Sequence, residues 1–575
     1  MYLGLIDYIV LILLLVLSCG TGIYQGYSRS KQISSKQFLI ADGRMKIIPT
    51  AMSLLATLKS AASLLGMPVE FYYYGTMLIY CIFPWFIGTY LTVNFFIPKY
   101  HYIGSASIYA YLEQRFSLTI RILVTCSFVL VTILSMAVIL YGPSLALSQV
   151  TGLNIWIAVG LCGIICTIYT SIGGMKAVIW TDVIQASIMF IGLILSIIIG
   201  VIDAGGIFKV YESLKAGNRL QFSVVDFDPS IRYTMWSIFI GVIFSSTAQY
   251  ACIQTQAQRY MCVKDTKSAQ KVAWTNYVML VFMHILCLCV GCLLYNKYSQ
   301  CDPLQAKIIS RSDQMYPLFV IETLGRIPGF TGVFIACMLS ATLSTFSSGV
   351  NSMATVILED IYKPLTKKHS MSNEEQVTFS KILSVCIGCL SVIMSFLVSF
   401  MKSNIITLII QIFGVFAAPI LGIYFLGLFS SRVKSRSVFV AFFLCLIFQL
   451  FMLFGSIFTT KPANKQGGRL PISIAGCLIS TNVTTKTITT YAKSNFLVSL
   501  FSISPLWFIF IGTMTTIILG MIFSFILDSK DTKIIDPLLL VSTNDIFPCL
   551  SSKKKMTKQS IEKQDDNKIE EEIML

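Results

Sequence analysis

Apolar runs about 20 residues long recur along most of this chain, separated by short stretches rich in Lys, Arg, Gly and Pro. Wound as a helix, a run of that length crosses the hydrocarbon of a bilayer. About thirteen such spans are predicted, beginning near Leu5, Ile48, Met77, Ile122, Ile155, Val178, Met235, Val272, Gly329, Ile382, Ile405, Phe439 and Ser504. Those near Ile48 and Met235 are weak, because Ser and Gly stand where Leu and Ile would be expected. With so much of the 575 residues committed to spans, no stretch is left for a large soluble domain. Composition agrees: 55% of residues are hydrophobic and 12% charged, with a mean hydropathy of +0.76, where soluble domains carry roughly twice that charged fraction. The prediction is an all-α integral membrane protein.

Lysine and arginine orient the spans, since positively charged loops stay cytosolic. Arg29, Lys31, Lys36, Arg44 and Lys46 follow the first span and put the N-terminus outside. Alternation from there puts Arg115, Lys176, the Arg259 to Lys271 group, Lys363, Lys367, Lys368, Arg432, Lys434 and Arg436 inside. Residues 529–575, with mixed charges and no apolar periodicity, predict a disordered cytosolic tail. The formal charge of +16 is then accounted for by basic loops beside anionic lipid and calls for no nucleic-acid partner. The first run is expected to be a retained helix and not a cleaved signal: Asp7 precedes its apolar core, and no basic segment leads it. Most of the 17 cysteines, such as Cys19, Cys81, Cys126, Cys287 and Cys289, sit inside apolar runs as small hydrophobes. Cys301 and Cys477 fall in predicted outside loops, where a disulfide can persist. The glycosylation sequon Asn482-Val483-Thr484 also falls outside.

Polar residues in such a background need partners, because each unpaired polar group costs free energy in hydrocarbon. The segment from Ala341 to Asp360, ATLSTFSSGVNSMATVILED, carries Thr342, Ser344, Thr345, Ser347, Ser348 and Asn351. Two readings stand: the hydroxyls line an ion or solute pathway, or small residues let two helices approach closely. The second span, AMSLLATLKSAASLLG (Ala51 to Gly66), is its natural partner, interrupted by Gly66 and Pro68. Broken helices free backbone groups at the membrane midplane; carbonyls freed near Ala56, with the Ser344 and Thr345 hydroxyls, suit a small hard cation. Asp182 leads into an apolar span and either pairs with Lys176 at the cytosolic headgroups or is buried with a cation or donor; Gln185 shares its face. Lys59 either snorkels into a watery vestibule, attracts an anion, or stands in for a sodium ion. His284 reads as a core histidine and is assigned no role. No phosphate-binding glycine loop, HExxH, nucleophile elbow or Cys/His ligand spacing is present, so nothing enzymatic is expected.

Five ordered motifs carry a resemblance: Ser53–Thr76, PSLALSQVTGL (Pro143–Leu153), GGMKAVIWTDVIQ (Gly173–Gln185), QAQRY (Gln256–Tyr260) and Cys337–Asp360. Together they resemble the sodium/solute symporter family over roughly Phe38 to Arg432, nearest the branch of multivitamin, monocarboxylate and iodide transporters. The resemblance implies about thirteen helices around a LeuT-type five-plus-five inverted repeat. Residues 1–47 would hold the first helix and a cytosolic loop, 48–205 and 206–432 the two repeats, and 433–528 two further helices with the glycosylatable loop. It implies a sodium site at the carbonyls of Ala56, Lys59 and Ala341 and the hydroxyls of Ser344 and Thr345, with Asp182 beside it. Candidate substrate contacts are Leu58, Ser60, Ser63, Ser135, Ser246 and Gln249. Leu58 and Ser63 stand where the iodide symporter has Phe and Gln, which points away from iodide, and Lys59 suits a carboxylate substrate. The expectation is a multi-pass plasma-membrane symporter of sodium and a small organic anion, acting as a monomer or homodimer, with a cytosolic C-terminus. Rival expectations are a symporter of iodide, another inorganic anion or a sugar, and a sodium-gated sensor or leak channel.

Overall fold

The computed structural model describes residues 4–27, 34–366, 371–400, 405–459, 469–477, 496–528 and 535–541, and among them every regular element is helical. Eleven helices are long and apolar enough to span a membrane, or twelve when the bent pair Ile47–Leu58 and Ala61–Tyr74 is taken as one. Against the expected count, the difference lies in Ile155–Asp203, expected as two spans and wound as one 49-residue stretch. At 1.5 Å per residue it would reach about 74 Å, more than twice the ~30 Å of hydrocarbon. Gly174 divides it, with φ 58° and ψ −164°. A side chain there would sit 2.7 Å from the Phe38 ring and 2.8 Å from its carbonyl oxygen, so glycine meets both the backbone and the space requirement.

The Phe330–Leu365 stretch lies at the centre: 89% of its spanning window is buried, against 17% for Leu5–Gln25 at the edge. It packs most extensively on Ile155–Asp203, while Ile405–Phe429 packs on Trp507–Leu527 and on Leu118–Thr151. Asp7 ties the edge helix down, its carboxylate accepting from Gly332 N at 3.1 Å.

The second span breaks at a different place from the one its glycine and proline suggest. Gly66 and Pro68 lie inside the helix Ala61–Tyr74, and the break falls at Lys59 and Ser60, where the axis turns by 65°. Lys59 N still donates to Leu55 O, Lys59 then turns out of helical geometry at ψ 83°, and Ser60 opens the next helix with its carbonyl accepting from Ser63 N and Leu64 N. Pro68 serves packing instead: its carbonyl oxygen would lie 2.7 Å from a side chain on Gly291 of the neighbouring helix. The following span, Thr76–Ile103, is also irregular, with a π turn at Thr92–Phe96 before its last helical turns.

Ion pairs join segments far apart in the sequence. Glu70 receives a two-pronged bond from Arg232 at 2.7 and 3.0 Å, and Tyr233 Oη adds a third at 2.8 Å. Arg121 bonds Asp360, Glu113 and the carbonyl of Glu359. Arg115, expected in a cytosolic loop, is buried and donates to the carbonyls of Gly427, Ser430 and Val433, capping the end of Ile405–Phe429. Cys301 and Cys477 are disulfide-bonded, with Cα atoms 5.0 Å apart. Beside them, residues 469–477 form a strap in which Leu470 N donates to Tyr73 O and Gly476 N to Gln300 O, both at 2.9 Å. Asn482 lies outside the described residues.

The tail departs from expectation over residues 535–541, which fold back onto the helices; 529–534 and 542–575 lie outside the described residues. Leu539 is buried there, which a sequence reading of mixed charge overlooks. Replacing Gly174 by Val is expected to lower the thermal midpoint of the purified protein, at a cost of about 2 kcal/mol or more from strained backbone and overlap with Phe38. An unchanged midpoint in a thermal-shift assay would contradict this reading of the divide.

Candidate functional site

The break at Lys59 removes the normal helical donors to the carbonyls of Ala56 and Thr57. Replacements come from the Phe330–Val356 helix: Ser344 Oγ donates to Ala56 O at 2.9 Å, and Thr345 Oγ1 lies 3.4 Å from Ala56 O and 3.3 Å from Thr57 O. Both hydroxyls also reach their own Ala341 carbonyl, at 3.2 and 3.0 Å. Thus Ala56, Ala341, Ser344 and Thr345 meet in one cluster of neutral oxygens, with Thr57 as an unanticipated fifth member. Lys59 sits at the break beside them; no hydrogen bond joins its carbonyl to the cluster.

A cavity of about 300 Å³ adjoins this cluster through Thr57 and Thr345. Leu58, Lys59, Ser60, Ser63, Ser135 and Gln249 line it, facing apolar side chains that include Trp85, Met136 and Phe413. Ser246 does not line it. Its hydroxyl turns toward Ile243 O and Pro84 O, over Gly88, and the neighbouring Ser245 takes the cavity-facing position. One residue along a helix is about 100° around the axis, which is why the two serines face apart.

Lys59 is 7% exposed, and its amine lies 5.2 Å from the centroid of the Trp85 ring, within cation–π range. Among the described residues no carboxylate pairs with it. His284 stands behind Trp85, edge-on at 4.8 Å, with Nε2 held 2.9 Å from Leu78 O. It is a core histidine that also braces the ring facing Lys59.

Asp182 is fully buried and does not reach Lys176. Its Oδ2 accepts from Ser53 Oγ at 2.6 Å and from Arg259 at 3.1 Å. Arg259 also donates to Ser53 Oγ at 2.8 Å, to Ser348 Oγ at 2.5 Å and to the Thr255 carbonyl. Ser348 lies 2.9 Å from Thr57 Oγ1, so hydrogen bonds run from the ion pair to the edge of the oxygen cluster. Asp182 therefore connects to that cluster through intermediates and does not join it. Arg259, expected among the cytosolic basic residues, was missed as a site residue. The signal available was its place inside the QAQRY motif; its partner, 77 residues earlier, is visible only in three dimensions.

This arrangement, a broken span held by hydroxyls from a second helix beside a cavity, accompanies a match of residues 38–445 to the sodium:solute symporter family. The chain belongs to this family. Its members are transporters and not enzymes, so the absence of catalytic motifs from the sequence has its explanation. Sodium-coupled monocarboxylate transporter 1 of Xenopus laevis is 34% identical over 532 residues, 90% of this chain and 85% of that one. The sodium-dependent multivitamin transporter of Oryctolagus cuniculus is 34% identical over 529 residues, 91% and 82% of the two chains. Among solved structures, an outward-open, substrate-bound Na+-coupled sialic acid symporter superposes with a TM-score of 0.72 at 23% identity, covering 91% of this chain and 98% of that one. The closed form of Mhp1, a nucleobase-cation-symport-1 family transporter, gives 0.52 at 12% identity, covering 88% and 96%. The fold is that of a LeuT-type symporter.

Within this family member, Arg259 is the cross-brace among Ser53, Asp182 and Ser348, which belong to three different helices. Arg259→Met leaves a buried carboxylate unpaired and is expected to cost about 3–5 kcal/mol. Adding Asp182→Asn should recover much of that loss. Thermal midpoints of the single and double variants measure both; equal losses in the two would contradict the pairing.

Proposed function

We propose that this chain is a sodium-coupled secondary symporter that imports a small organic anion, a monocarboxylate or a carboxylate vitamin, by alternating access. The observation that carries the reading is the Lys59 amine, which lines the cavity without an acidic partner and adjoins the neutral-oxygen cluster. A protonated amine held over an aromatic face in a mostly apolar cavity favours an anionic guest, and a carboxylate supplies it with a charge-assisted hydrogen bond. The relatives named for monocarboxylates and multivitamins support the same class.

Sodium is proposed to bind at the Ala56, Lys59 and Ala341 carbonyls and the Ser344 and Thr345 hydroxyls. The two hydroxyls now donate to carbonyls; when sodium arrives they rotate to offer lone pairs, and the cation takes over the work of holding the two helices together. Hard neutral oxygens suit an alkali ion. Sodium favours the substrate-ready state only as far as it binds that state better, and the two-helix origin of the ligands supplies that difference, because parting the helices dismantles the site. Asp182, through Arg259, Ser348 and Thr57, would pass the ion's presence to the neighbouring helix. The gradient is joined by the membrane potential, worth roughly 2.3 kcal/mol per charge per 100 mV.

In this reading 48–205 and 206–432 are the two inverted repeats, the N-terminus lies outside, and the plasma membrane is the site of action. The disulfide at one end of the molecule and the basic loops at the other support that orientation.

Cells expressing the chain should accumulate a labelled carboxylate from a panel of lactate, nicotinate, pantothenate and biotin when sodium is outside, and lose that accumulation when choline replaces it. Lys59→Met is expected to raise the half-saturation concentration for the carboxylate about ten- to hundredfold, the range of a lost charge-assisted bond. Ser344→Ala should instead raise the half-saturation concentration for sodium. Uptake indifferent to sodium would overturn the coupling, and Lys59→Met without effect on carboxylate affinity would overturn the substrate class.

A further inference from the structure

Residues 535–541, IDPLLLV, bridge the ends of two helices that wall the substrate cavity. Thr76–Ile103 contributes Leu78, Cys81 and Trp85 to that cavity, and Ile405–Phe429 contributes Ile409, Ile410, Phe413 and Gly414. At the opposite ends of these helices, away from the disulfide, the segment is bonded to both. Tyr102 Oη donates to Asp536 Oδ2 at 3.0 Å and Lys99 Nζ to Leu540 O at 2.8 Å on the first helix. Val541 N donates to Leu428 O at 2.9 Å on the second. Between them Tyr111 Oη donates to Leu539 O at 3.0 Å, and the Leu539 side chain is buried. Asp536 fixes the segment's own shape by accepting from Leu538 N at 2.9 Å.

Under the segment the two helices meet through aromatic rings, beside the Arg115 cap on the end of the second helix. Tyr111 stacks face to face on Tyr424, centroids 5.5 Å and planes 11° apart, and Phe95 meets Phe429 edge-on at 5.8 Å. Ring contacts such as these carry fewer directional constraints than hydrogen bonds. Lys99 and Tyr102 lie just beyond the π turn at Thr92–Phe96, a local irregularity of a kind frequent at functional sites. A helix end beyond an irregular turn, pinned across an aromatic seam by a chain segment, is the geometry of a latch.

We propose that residues 535–541 are an intramolecular clasp that keeps the cytosolic ends of Thr76–Ile103 and Ile405–Phe429 together and must be released for the cavity to open inward. The inference rests on the alternating-access reading above and adds to it a control point in the C-terminal segment: whatever strips the clasp from the inner face raises turnover, and whatever fixes it there arrests transport with the sodium site intact.

The test is a full-length Leu428→Cys/Val541→Cys variant, whose backbones the Val541 to Leu428 hydrogen bond brings side by side. Cross-linking is verified by mass spectrometry of the joined peptides, and uptake is compared at equal surface amount before oxidation, after oxidation, and after reduction. The expected result is a link that lowers sodium-driven uptake at least about tenfold, with recovery on reduction and an unchanged sodium half-saturation. A link that forms without slowing uptake, or a pair that does not link, overturns the clasp. The companion Leu539→Asp, which undocks the segment without a cross-link, should raise the maximal uptake rate about two- to fivefold; an unchanged rate also overturns it. The unmodified chain serves as control: if it fails to accumulate carboxylates with sodium, the transport reading falls, whereas accumulation that ignores the cross-link removes the clasp alone.

Discussion

A carbonyl oxygen in hydrocarbon has no water to turn to, so a helix can stop inside a membrane only where other protein atoms receive its loose ends. The break at Lys59 and Ser60 is therefore possible because Ser344 and Thr345 stand opposite it. Much else follows from that requirement. The hydroxyl-bearing helix must be central and nearly fully enclosed, and the two halves of the broken span must meet it at the same depth. The cavity opens beside the break, where the main chain turns aside and leaves room. The polar atoms that make the break tolerable are the same ones a cation would use, so structural need and ion chemistry share one set of residues.

Charge is distributed with equal economy. The pairs Glu70–Arg232, Asp182–Arg259 and Asp360–Arg121 each join segments far apart in sequence, and each carboxylate accepts from more than one donor. Removing charges from water is expensive unless geometry and extra hydrogen bonds compensate; the Glu70 and Asp360 sites supply both, while at Asp182 both donors reach Oδ2 and leave Oδ1 without a partner. Other buried cations lack a carboxylate, Arg115 donating to three carbonyls and Arg219 lying over the Tyr295 ring and donating to Pro471 O, but Lys59 lines the cavity with an aromatic face and no carboxylate. An amine in the wall of a cavity with no acidic partner is the feature on which the proposed anionic substrate rests.

The apolar runs made the membrane class and nearly all the spans readable, because hydrocarbon thickness imposes a length that sequence displays directly. The hydroxyl cluster, the odd second span and the cysteines destined for each other were readable too, since each violates the composition its surroundings demand. What sequence concealed was set by three-dimensional pairing. Arg259 looked like one more cytosolic arginine until Asp182 stood beside it. Gly66 and Pro68 looked like the break, but a proline deep in a helix is tolerated when a neighbour packs on it, and the turn fell at a Lys-Ser pair whose freed carbonyls had partners waiting. Ser246 was misjudged by one position, enough to face it away from the cavity. The docked tail escaped notice because its few apolar residues form no periodic pattern; only the groove that receives Leu539 gives them meaning.

The bond between Cys301 and Cys477 has a consequence for biogenesis. The two cysteines are 176 residues apart, and four membrane helices, Phe330–Val356, Asn373–Ser399, Ile405–Phe429 and Ser435–Phe458, are synthesised between them. One helix left out of the bilayer would deliver Cys477 to the compartment opposite Cys301, where the two could not bond. Closure of the disulfide thus records that no single one of the four was left out, and a nascent protein with free thiols at these two positions carries a legible mark of faulty insertion.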